Sequence, residues 1–224
     1  MIAVLGYRQV DLSAKVLMLL VFFEFAIVVL LDLVILGKGG AAGLNFAPFA
    51  PSNIFSGTWS IGVLYSFAGF IGFEATTIYA EEARDPEKTI PRATYLSVLM
   101  IGLFFVFTTW LMIAGVGAEN LIPTIGGLAD PTEYFFMLAD MYVGGPVPPI
   151  AGILLVSSLF AALSAFHNYI ARYSYVAGRE GLLPAAFGRT HDTHSSPHVG
   201  SVVQSVGALI VLAIFAGLGL DPVL

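Results

Sequence analysis

The sequence predicts an all-α fold, a polytopic transmembrane helix bundle. Three observations carry that expectation: the composition, the gathering of apolar residues into long runs, and the placement of the basic residues. Hydrophobic residues make up 58% of the 224 and charged ones 11%, with a mean hydropathy of +0.89. A soluble domain runs at about 45–50% apolar and about 25% charged. The apolar residues fall in blocks separated by short polar stretches, which a single water-soluble core does not require. Residues 1–224 therefore read as one membrane unit. The absence of cysteine excludes a disulfide framework, a thiolate metal site and a cysteine nucleophile.

A helix that crosses the hydrocarbon needs about 20 mostly apolar residues. The stretches that meet this requirement run over about 16–36, 59–80, 95–116, 147–169 and 199–218. The segment before the first, with Arg8, Gln9, Asp11 and Ser13, lacks the layout of a cleavable signal peptide and reads as part of a loop. Between the first two spans, 37–58 is rich in Gly, Pro, Ser and Asn and is expected to be irregular. The run at about 132–142 is too short to cross and is expected to be an interfacial or re-entrant helix, either capping an external vestibule or lying on the surface.

Orientation follows the Lys and Arg residues near the span ends rather than the net charge of -6. Arg8 and Lys15 precede the first span, Arg84, Lys88 and Arg92 follow the second, and Arg172, Arg179 and Arg189 follow the fourth. Only Lys38 lies on the opposite side, and the stretch 116–147 carries Glu119, Asp130, Glu133 and Asp140 without a single Lys or Arg. The expectation is a cytoplasmic N-terminus and an external C-terminal end.

Ionisable groups inside spans are costly, so each is a functional candidate. Glu24 sits near the middle of the first span with no basic residue within reach on its own helix. It must find a partner or carry a proton. It is a candidate for ion coupling, against the simpler reading of a neutral acid bonded across helices. Asp32, within a turn of the external end, is expected to be solvated there. In the second span, Gly69, Gly72 and Glu74 share the centre. Glycines at that depth permit either an unwound segment that faces a cavity or close packing of a continuous helix. Unwound backbone is how transporters offer carbonyls to an ammonium group. The charged linker that follows, from Glu81 to Arg92, reads chiefly as solvated, with a salt-bridged gate as the alternative.

Phe70-Ile71-Gly72-Phe73-Glu74, followed by Ala80-Glu81-Glu82, Asp85-Pro86 and Ile90-Pro91-Arg92-Ala93, resembles the sixth-to-seventh helix signature of the amino acid–polyamine–organocation (APC) superfamily of permeases. Ala171-Arg172-Tyr173 and Ala177-Gly178-Arg179-Glu180-Gly181-Leu182-Leu183-Pro184 resemble the end of that family's eighth helix. The resemblance covers the whole chain as about family helices five to nine. It implies part of a leucine-transporter-like inverted-repeat (5+5) fold with a broken second span. On the matching motif, the carbonyls of Ala68 and Ile71 would face the substrate's ammonium group, and Phe67, Phe70 and Phe73 would form gate or wall around Gly69, Gly72 and Glu74. Ala68 is smaller than the aromatic gate of some relatives. Phe166 and Asn168 correspond to cavity-facing positions, and Glu24 falls near a position where some proton-coupled relatives carry lysine.

The function that this implies is secondary active transport of amino acids or polyamines, by proton-coupled symport or exchange, in the plasma membrane. The partners implied are the substrate, the lipid bilayer, protons or a cation, and the helices of the full permease that this sequence does not contain. The chain is expected to be a fragment that does not transport alone. A membrane sensor or helical scaffold is the alternative. An enzyme is not expected: His167, His191, His194 and His198 supply neither a catalytic pair nor a convincing metal cluster. No cofactor and no nucleic acid partner is expected either.

Overall fold

The computed structural model describes residues 14–55, 57–74, 77, 83–191 and 196–220, with side chains from residue 19 onward. The described residues form helices and connecting turns, with no strand among them. In chain order the helices are α1 (Ala14–Lys38), a 3₁₀ turn (Ala47–Phe49), α2 (Pro51–Ile54), α3 (Trp59–Gly69), α4 (Pro86–Val116), α5 (Leu121–Gly126), α6 (Glu133–Tyr142), α7 (Val147–Arg179) and α8 (His198–Leu218). Among the described residues, Leu19–Lys38 of α1 together with α4, α7 and α8 are long and apolar enough to cross a membrane. The 25 residues of α1 extend about 38 Å at 1.5 Å each, more than the roughly 30 Å hydrocarbon thickness.

The helices α4 and α7 run beyond the apolar stretches that the sequence marks. Pro86 and Glu87 open α4, since proline loses nothing in a first turn and an acid there suits the helix dipole. Arg179 closes α7 at the opposite pole. The expected second span, 59–80, falls on α3 and the turn after it, and 75–76 and 78–82 lie outside the described residues.

The chain divides into two compact units. One comprises Met18–Ser158. Its core is a cluster of Leu31 and Ile35 from α1, Leu111 from α4, and Tyr134, Leu138 and Ala139 from α6. Close approach explains the small residues there. A Cβ on Gly115 would sit 2.9 Å from Leu138 Cδ2, and one on Gly40 would sit 2.6 Å from the Ala114 carbonyl oxygen. The stretch after α1 is tied to α4 by Ala41 N–H donating to Ala114 O at 2.9 Å and by Trp110 Nε1 donating to Asn45 O at 2.8 Å. Phe46 stacks on the Trp110 ring at 5.1 Å. In the linker, Lys88 Nζ lies 3.3 Å from exposed Asp85, a surface pair of the kind worth little.

The other unit comprises Met1–Leu17 and Leu159–Leu224. The second family-like patch has a structural reason here. A Cβ on Gly178 would run into the Gly188 nitrogen, and Gly181 takes φ 77°, a conformation that side chains disfavour. Leu182 and Leu183 N–H both return to Ala177 O, closing the end of α7. Buried Ala171 packs on Gly200 of α8, where a Cβ would fall 3.1 Å from the Ala171 backbone.

Candidate functional site

The helix α3 stops at Gly69, within the run of apolar residues rather than at its edge. Phe70 N–H returns to Phe67 O at 3.0 Å and Ile71 N–H to Ala68 O at 3.2 Å, the tightened pattern of a last turn. Gly72 then takes φ 105°, which a side chain would strain. Its N–H donates to Glu74 Oε2 at 2.9 Å, so the carboxylate caps a backbone donor that the break sets free. The chain is therefore interrupted at Gly69–Gly72 and is not the continuous helix that the sequence also allowed.

The break is seated on α4 by glycine-for-ring complementarity. A Cβ on Gly69 would lie 2.6 Å from the Phe105 ring, and one on Gly102 would lie 3.6 Å from the Phe70 ring. Phe70 and Phe105 meet edge to face at 6.3 Å. This arrangement pins Phe70, half-buried, while Phe67 and Ile71 stay 71% and 63% exposed. Ala68, Gly69, Phe73 and Glu74 are exposed as well. The Ala68 carbonyl already accepts the long bond from Ile71 N–H and keeps a second lone pair.

Glu24 lies half-buried on α1, with Ser157 Oγ of α7 3.4 Å from its Oε1. That hydroxyl has a single proton and gives it to Leu154 O at 2.7 Å. Phe166 and Asn168 belong to the other unit. They flank buried His167, whose Nε2 meets Ser201 Oγ of α8 at 2.7 Å, so each points about 100° away from that interface. Phe166 meets Tyr169 edge to face at 6.3 Å.

Asp32 corrects the sequence reading. Expected to be solvated, it is 1% exposed, and its Oδ2 accepts from Thr108 Oγ1 of α4 at 2.7 Å. The cause is tertiary: α4 covers the face of α1 that also carries Leu31 and Ile35. Two further features gave no sequence signal. Lys38 Nζ donates to Tyr142 O at 2.8 Å beside an open recess of about 550 Å³ that Asn120 and Thr124 also line. Burial, with Tyr142 adding to it, pushes the Tyr134 phenol up to about 12 while its hydroxyl donates to Met112 O at 2.8 Å.

Of the loop histidines, His191 and His198 meet ring to ring at 5.3 Å, and His194 lies outside the described residues. No group of three or more His, Asp or Glu able to hold a metal occurs among the described residues.

Four helices long and apolar enough to cross a membrane, among the described residues, define a polytopic helical membrane protein. The chain belongs to the amino acid permease family, whose model matches residues 1–222. It is 29% identical over 182 residues to the low-affinity putrescine importer PlaP of Escherichia coli, covering 80% of this chain and 38% of that protein. It is 26% identical over 220 residues to the branched-chain amino acid permease BcaP of Lactococcus lactis, covering 95% of this chain and 45% of the relative. The methylthioribose transporter of Bacillus subtilis is 24% identical over 219 residues, covering 94% and 44%. The chain thus spans about two-fifths of the length of these relatives. No solved structure matches it. The family and these relatives are transporters, not enzymes.

Proposed function

We propose that this chain supplies the ammonium-facing part of the substrate path of a secondary permease for amino acids or polyamines. The observation that carries the reading is the interruption of α3 at Gly69–Gly72, inside the stretch that bears the family-like motif. Backbone released from a helix at membrane depth is tolerated where it faces protein or a cavity, and its carbonyls suit an ammonium ion. In this reading Ala68 and Ile71 offer carbonyls, Phe67, Phe70 and Phe73 wall the path, and Gly69, Gly72 and Glu74 shape the break. Phe166 and Asn168, in the other unit, keep the cavity-facing role that the family resemblance implies for them. The relatives named for putrescine and for branched-chain amino acids support a substrate with a primary amine.

Proton-coupled symport or exchange is the proposed drive, with Glu24 as the coupling group. Its support is the place of Glu24 within an apolar span, half-buried, with the Ser157 hydroxyl of α7 as its neighbour at 3.4 Å. The proposed setting is the plasma membrane with the N-terminus cytoplasmic, from the basic residues on one side of the spans.

The natural lack of cysteine makes the test direct. A single cysteine at Ile71, in the chain reconstituted in lipid nanodiscs, should be alkylated more slowly when leucine or putrescine is present at saturation. Failure of both amines to slow the reaction, in this chain and at the matching position of a full-length relative, contradicts the assignment.

A further inference from the structure

We infer that Asp32 is a proton-binding site, one that holds its proton while α1 and α4 are closed over it and releases it only when they part. Asp32 Oδ2 meets Thr108 Oγ1 at 2.7 Å, whereas Oδ1 is buried with no hydrogen-bond partner among the described residues. An ionised carboxylate demands several donors, and this one has a single hydroxyl. A metal cation would need about six oxygen ligands, far more than a carboxyl and one threonine provide. A proton needs no more than is present. A neutral acid leaves no net charge on a buried carboxyl that has one hydroxyl partner at Oδ2 and none at Oδ1, and a hydroxyl can serve a neutral acid as donor or as acceptor.

The charged groups on the surrounding elements leave that balance intact. On α1, Glu24 lies about two turns away at Ser157, and Lys38 is engaged with Tyr142 O. On α4 the charged residues, Glu87, Lys88 and Arg92, all fall in the first two turns. On α6, Glu133 and Asp140 are exposed, and the hydroxyls of Tyr134 and Tyr142 are given to Met112 O and Gly115 O. None is bonded to Asp32. Glu24 stays half-open for other helices to approach, but Asp32 is already enclosed by this chain, so its state is set here.

The consequence is a pH-sensitive closure. Opening that releases one proton becomes more favourable by up to about tenfold per pH unit once the freed carboxyl can ionise. The buried cluster of Leu31, Ile35 and Leu111 includes Ala139, a small residue suited to reporting that opening.

The experiment uses the full chain in lipid nanodiscs. Infrared spectroscopy should find a protonated carboxyl carbonyl band at neutral pH that disappears in Asp32→Asn and persists in Glu24→Gln. In parallel, the labelling rate of Ala139→Cys is divided by that of exposed Ala129→Cys, which cancels thiol ionisation. The ratio should climb with pH in chains that keep Asp32 and stay flat in chains that also carry Asp32→Asn. Absence of the band, or an equal pH dependence in both backgrounds, overturns the proposal. Should Asp32→Asn fail to insert, Thr108→Val gives a second reading: the band shifts upward as the carboxyl loses its partner, and an unmoved band counts against the site.

Discussion

The cluster where α1, α4 and α6 meet and the break after α3 both belong to the Met18–Ser158 unit, yet they are built on opposite terms. In the cluster, Leu138 and Ile35 are fully buried, and even Asp32 is enclosed with a hydroxyl partner. At the break, no residue of α3 is buried, and only Phe70 and Gly72 are half-covered. The first region is finished by this chain alone. The second presents a preformed backbone interruption on an open surface, held from behind by Phe105. The cluster is closed by packing and the break is left open, the division that the proposed substrate path requires.

The largest effect should come from breaking the finished region. Leu138→Ala leaves a cavity between α4 and α6 and should cost about 2–5 kcal/mol in unfolding free energy, read by denaturant titration in detergent. Phe67→Ala, on the open region, should change the same titration by less than about 0.5 kcal/mol. Equal losses would erase the contrast.

The seat of the break comes next. Gly69→Ala puts a methyl group 2.6 Å from the Phe105 ring, so the ring or the helix end must shift, at about 1–3 kcal/mol. Phe105→Ala in the same chain should remove most of that penalty in a double-mutant cycle, since the clash partner is gone.

The smallest effect returns to the cluster. Tyr134→Phe removes a bond to Met112 O and should cost about 1 kcal/mol. Its phenol also sets a pH limit. With the folded value raised to about 12 and an unfolded phenol near 10, the folded form keeps the proton longer. Stability from this group is full below pH about 10 and falls as pH rises toward 12. Tyr134→Phe should flatten that alkaline loss.

The sequence made the long helices legible because hydrocarbon demands long apolar runs, and the break legible because glycines at Gly69 and Gly72 with a carboxylate at Glu74 have few other reasons to meet at depth. It left a continuous helix open, since only the Phe105 ring under Gly69 and the positive φ at Gly72 decide between the two. Asp32 was misread because its depth was judged from the end of its own helix, while its burial comes from α4, far along the chain. The Thr108, Tyr142 and Ser201 contacts were illegible for the same reason: a hydroxyl's partner on another helix leaves no periodic mark.

The most direct measurement compares water access at two single cysteines in the reconstituted chain, one at Ile71 in the break and one at Leu209 on the exposed face of α8. Faster reaction of Ile71→Cys with a membrane-impermeant maleimide, with Leu209→Cys reacting only with a lipid-soluble one, is the result predicted for a break that faces an aqueous path. Equal silence of both positions toward the impermeant reagent would place the break in lipid and contradict the role in transport proposed for it.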